Sequence, residues 1–166
     1  MAWTGAWPSL ELVQLRDSFD RVVKLVVAKD AGLPDEISRA LSRFLIVRAC
    51  GYLEQASEEA CRSYVASKTI PRVGAYGASW LGRGANPTPD HLVGLVRRFD
   101  SNWADDLAAF LKGEDELLWR ELSFLVDRRN KIAHGLGEEI TARKALDLAD
   151  HARTTAEWFV GRFDPR

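Results

Sequence analysis

The chain has 166 residues and a mass of 18.6 kDa, which fits one domain, or one domain with an ordered tail. Hydrophobic residues make up 46% and charged residues 28%, which argues against general disorder, and 23 Lys+Arg against 24 Asp+Glu exclude a globally basic nucleic-acid-binding protein. No apolar run reaches the ~18–20 residues of a membrane span, and MAWTGAWPSLE lacks the pattern of a secretory signal, so a soluble cytoplasmic protein with no membrane partner is expected.

Residues 1–8 read as an N-terminal arm, in which Trp3 and Trp7 flank Gly5 and suit docking onto the domain or onto another subunit. Residues 9–166 read as a single helical domain. Ser9 caps a first helix to about Ala31, with Leu12, Leu15, Phe19, Val22, Val23, Val26 and Val27 at three- and four-residue steps. Gly32-Leu33-Pro34 breaks it. A second helix runs from Asp35 to about Ser67, with Ile37, Leu41, Phe44, Leu45, Tyr52, Leu53 and Tyr64 supplying its buried stripe. Gly51 inside this helix suggests a close helix crossing or a kink. Cys50 and Cys61 lie ~16 Å apart on the same helix, too far for a disulfide, and read as buried thiols. Without clustered His they offer no zinc pattern, so no metal site and no cofactor is expected.

Residues 68–87 hold four Gly and two Pro and read as a packed excursion pinned by Tyr76 and Trp80, with a helical turn around 76–81. Thr88-Pro89 starts the next helix, through Leu92, Leu95, Val96 and Phe99. Ser101 caps a short helix with Trp103, Leu107, Phe110 and Leu111 inward, and Gly113 ends it. A helix from Glu114 to about His134 follows, with acids at its start and Arg128, Arg129 and Lys131 at its end, as the macrodipole favours. Gly135 and Gly137 stop it. Thr141 caps a last helix to about Phe163, with Ala145, Leu148, Ala152, Ala156 and Phe159 inward. No strand is evident. The fold class is all-α, a bundle of about five or six helices.

Charge is uneven along the chain. Residues 62–98 hold Arg62, Lys68, Arg72, Arg83, Arg97 and Arg98 against Asp90 alone, and an acidic stretch occupies 100–127. That pattern suits either a surface for phosphates or an acidic partner, or ordinary solvated helix faces.

The stretch richest in chemistry is Asp127-Arg128-Arg129-Asn130-Lys131-Ile132-Ala133-His134-Gly135. Asn130 and His134, four apart, share a helix face, whereas Arg129 and His134 are offset by ~140° on a regular helix. Three routes bring Arg129 and His134 onto one ligand: the reach of arginine, a loosened last turn, or a second subunit. Taken alone, Arg129 and His134 at a helix C-terminus also suit the dipole, and Arg129 can pair with Asp127 or a neighbouring acid.

Arg129-Asn130-x-x-x-His134-Gly135 resembles the Arg-x4–6-His motif of the HEPN superfamily. Val47-Arg48-Ala49-Cys50-Gly51-Tyr52-Leu53-Glu54 and Phe99-Asp100-Ser101-Asn102-Trp103-Ala104-Asp105-Asp106-Leu107 resemble its RiboL-PSP-type branch, over roughly residues 10–160. The resemblance implies a homodimer with the two motifs facing across the symmetry axis. It implies a metal-independent endoribonuclease in which the RNA 2′-OH attacks, leaving a 2′,3′-cyclic phosphate. Arg129 and His134 would be catalytic and Asn130 supporting, while Arg128 and Lys131 would bind flanking RNA phosphates. The setting implied is a toxin or phage-defence effector, restrained by a cognate antitoxin or regulatory protein. The alternative is a non-catalytic HEPN module that binds nucleic acid, a nucleotide or a protein partner. Arg48 and Glu54 are six residues apart and share no face; either can approach the motif in the bundle or at the dimer, or the two can pair as buried ions. His91 and His151 are lesser candidates.

Overall fold

Ser9 starts the first helix as expected: in a computed structural model of the chain, its hydroxyl accepts a hydrogen bond from the Leu12 amide at 3.3 Å. The structure describes residues 5–28, 34–81, 84–136 and 139–166. Among them run α1 (Leu10–Val27), α2 (Asp35–Lys68), α3 (Pro71–Ala78), α4 (Pro89–Arg97), α5 (Ser101–Ala133) and α6 (Ala142–Arg162), with no strand. The fold is all-α. Trp3, the Gly32-Leu33 break and Gly137 lie outside the described residues, as does the end proposed for the first helix at Ala31.

The starts of the helices follow side-chain chemistry. Thr88 and Thr141 accept from the amides of His91 and Lys144, each at 3.2 Å, satisfying donors that the first turn leaves unpaired. Asp100, rather than Ser101, caps α5. Its carboxylate takes the amides of Asn102 and Trp103 at 2.7 and 3.1 Å, which a hydroxyl one residue later cannot do.

α2 is the central element and packs chiefly on α6. Its buried side carries many small residues, among them Ala49, Ala56, Ser57 and Ala60, and α6 buries Ala145, Ala149, Ala152 and Ala156. Small side chains on both helices let their axes approach closely. The buried hydroxyls are satisfied within their own helices: Ser57 donates to Glu54 O at 2.9 Å and Thr155 to His151 O at 2.9 Å. Around this seam the core holds Phe19, Leu45, Leu53, Leu107, Leu122, Leu148 and Phe159, all fully buried. Truncating Phe159 to Ala would cost about 3–5 kcal/mol. Trp7 fastens the N-terminal arm by donating its indole N–H to Val160 O at 2.9 Å.

Four expectations need correction. Ile37 and Phe44 are not in the buried stripe of α2 but 46% and 48% exposed, because they are phased about 160–180° from Leu53. Gly51 marks no close crossing among the described residues: a Cβ there would meet none of them within 4 Å. Gly113 does not end a helix. The backbone is disturbed two residues later, at Asp115 (φ 58°) and Glu116 (φ 61°), within one helix that runs on to Ala133 and buries Leu111 before and Leu122 after the disturbance. Finally, α3 is held down by glycines rather than by Tyr76 and Trp80, both of which are exposed. A Cβ at Gly74 would come 2.7 Å from Thr69 Oγ1, and one at Gly77 would come 3.1 Å from Val65 Cγ1.

Candidate functional site

The last turns of α5 carry the motif, and the chain before α4 meets them. Arg129 Nη1 donates to Asn86 Oδ1 at 2.9 Å and to Asn130 Oδ1 at 3.1 Å, and Asn86 Nδ2 donates to Asn130 Oδ1 at 3.3 Å. The two amides hold the guanidinium by neutral oxygens rather than by a carboxylate. Asn86 is itself set by local structure. Its carbonyl accepts from the Thr88 amide at 2.8 Å, and Pro87 and Pro89 on either side of that threonine are buried.

α2 supplies the neighbouring wall. Burial pushes the Cys50 thiol up to about 11; the Arg129 charge pulls it down and the Glu54 charge pushes it up. Both charges therefore act on one thiol of α2. Burial and Arg98 hold His91, in the first turn of α4, below the ordinary imidazole value, with Glu54 opposing. The hydrogen-bonded cluster itself is Arg129, Asn130 and Asn86, at the end of α5 and just before α4. Within the chain Arg48 donates to Ser18 Oγ on α1 at 3.3 Å.

His134 sits at the C-cap of α5, exposed. The helix closes there in an orderly way. Gly135 adopts φ +71°, its amide donates to Ile132 O, and the Leu136 amide donates to Lys131 O, both at 3.0 Å. This paired closure is the Schellman arrangement, which needs a left-handed residue after the cap. The last turn is thus regular rather than loosened. Among the described residues no hydrogen bond joins His134 to Arg129, whose guanidinium turns toward Asn86.

Asp127 spans both basic residues expected to bind flanking phosphates: Lys131 Nζ lies 3.1 Å and Arg128 Nε 3.7 Å from its carboxylate. Arg128 also lies over the Phe124 ring at 4.5 Å. The Lys131–Asp127 pair is part-exposed, and a pair of this kind is worth about 0–1 kcal/mol.

Sequence reading missed Asn86. It lies in a Gly/Pro-rich segment with no periodicity and is 43 residues from its partner. The one signal it carried was its place immediately before the Pro-Thr-Pro start of α4. His151 lies away from this cluster, lining a cleft with Phe110 and Leu118. Among the described residues no three His, Cys, Asp or Glu side chains cluster as metal ligands, and no helix is long and apolar enough to cross a membrane. No family model matches the chain, and neither a curated protein nor a solved structure matches it.

Proposed function

We propose that the chain is an endoribonuclease of the HEPN type, acting as a homodimer in which Arg129 of one copy works with His134 of the other. One observation carries this reading. Arg129 is fixed by the neutral amide oxygens of Asn86 and Asn130, while His134 stands exposed at the capped end of the same helix. A guanidinium held this way suits the bridging phosphate of RNA, where it would stabilise charge that grows in the transition state. The RNA 2′-OH is the nucleophile. It attacks phosphorus, the P–O5′ bond breaks, the imidazole takes the hydroxyl proton, and a proton returns to the departing 5′-oxygen. The products are a 2′,3′-cyclic phosphate and a 5′-OH end.

The outer face of α2 supports the dimer. Ile37, Phe44 and Val47 are exposed there, and Gly51 continues the same face with open space above it. A glycine inside a helix costs about 1 kcal/mol against alanine, and nothing within the chain offsets that here. A second copy closing on this face would bury the apolar side chains, use the space over Gly51 and bring the two motifs toward one axis. Because free cleavage of cellular RNA is harmful, the biological setting is a toxin or defence effector restrained by a partner protein.

The test is a labelled single-stranded RNA incubated with the protein in EDTA. The wild-type chain should cut it to cyclic-phosphate ends, and Arg129→Ala and His134→Ala should each abolish cutting while helical content persists. A second reading, a module that binds nucleic acid, a nucleotide or a protein without turnover, is favoured by the lack of any bond between Arg129 and His134 within the chain. RNA bound but left intact by the wild-type protein decides for it.

A further inference from the structure

The outward face of α3 has no role in this account. Val73, Tyr76 and Trp80 recur at three- and four-residue steps and so share one side of the helix and the turn after it. Tyr76 is 67% and Trp80 48% exposed, and their rings meet edge to face with centroids 6.3 Å apart. The other side of α3 is clamped to α2 by the tight contacts at Gly74 and Gly77. The aromatic pair is therefore held outward by the fold and needs little ordering on binding. Beside Trp80 opens a cleft of about 450 Å³, floored by Val65, Leu95 and Phe99 and edged by Arg98. That volume lies within the ~300–1,000 Å³ of small-ligand sites.

Charge selects the occupant. Residues 68–81 carry no acid, and Arg72 on α3 and Arg98 at the cleft are exposed. An apolar protein face would satisfy the rings but offer nothing to these two guanidinium groups. A single strand of nucleic acid offers flat bases to the rings and phosphates to the arginines. α4 links the two places: Asn86, just before its start, bonds Arg129, and Arg98, its C-cap, edges the cleft, ten residues beyond the Thr88 N-cap or about 15 Å of helix.

We propose that Tyr76, Trp80 and the adjoining cleft form a stacking platform for bases of single-stranded RNA next to the linkage held at Arg129, a proposal that rests on the RNA substrate of the reading above. Fluorescence anisotropy of a fluorescein-labelled single-stranded RNA, in EDTA and on the His134→Ala background, measures binding without cleavage. Adding Tyr76→Ala and Trp80→Ala should weaken binding about tenfold or more. Both side chains are exposed, so circular dichroism should not change. A duplex of the same sequence, whose bases already stack on each other, should respond little to the two substitutions. Equal affinity with and without the aromatic pair overturns the platform, as does failure of the parent to bind RNA. Intact RNA binding with an altered mass by light scattering would assign the face to a second copy of this chain and overturn it equally. RNA that binds through the pair but is never cut by the wild-type protein leaves the platform standing and removes the nuclease reading alone.

Discussion

Asn86 separates the positioning of Arg129 from the use of its charge. Replacing it with Ala removes an acceptor 2.9 Å from the guanidinium and a donor 3.3 Å from Asn130. A hydrogen bond to a charged group is worth about 1.5–3 kcal/mol, and partial burial puts this one at the low end. About 1.5 kcal/mol corresponds to a fall in Tm of about 3–6 °C for a chain of this size. Asn86→Asp keeps the shape but sets a carboxylate against Arg129. The folded state should hold its Tm or gain, because the new pair is charge-assisted. Phosphate binding should fall, because the charge meant for RNA is now spent within the chain. Calorimetry and RNA anisotropy on both variants form the assay: Asn86→Ala loses stability first, whereas Asn86→Asp loses about tenfold or more in RNA affinity at unchanged or higher Tm. Wild-type affinity in Asn86→Asp would refute the claim that Arg129 reads phosphate from this position.

Phe44→Glu on the outer face of α2 should shift the protein from dimer to monomer by sedimentation while leaving helical content intact; a dimer that persists removes that face from the interface. Gly135→Ala should cost about 1–2 kcal/mol through its φ of +71° alone, since a Cβ there meets nothing within 4 Å, and thermal melting reads it directly. His91 is held below its ordinary value of 6.5, so between that value and its folded one the unfolded chain binds a proton that the folded chain does not. Stability should therefore fall as pH drops through this window, and His91→Gln should flatten the slope in a series of denaturant melts. A slope unchanged by the substitution would contradict it.

Local chemistry made much of the fold legible from the sequence. Ser9, Thr88 and Thr141 act as caps as their residue type suggests, because a cap is decided by a hydroxyl and an amide three residues on. The inward face of α6 follows from spacing for the same reason. Phase was harder in α2. Over a helix this long, with polar and small residues inside the bundle, apolar residues fall on both sides, and the sequence does not mark which side meets α6 and which is left outward. The disturbance in α5 was displaced by two residues, since burial on both flanks outweighs the glycine at 113. At the site, the motif helix and its end at Gly135 were readable. The bond from Arg129 to Asn86 was not, because a contact across 43 residues leaves no periodic trace.

The central claim, that Arg129 and His134 act together from opposite subunits, is tested most directly by mixing. Arg129→Ala and His134→Ala proteins are each expected to leave RNA uncut. Unfolded together and refolded, they form mixed dimers in which one of the two sites regains an intact arginine from one chain and an intact histidine from the other. Cleavage should return to about a quarter of the wild-type rate with random pairing. A refolded mixture as inactive as its components, beside an active wild-type protein treated the same way, would contradict the account.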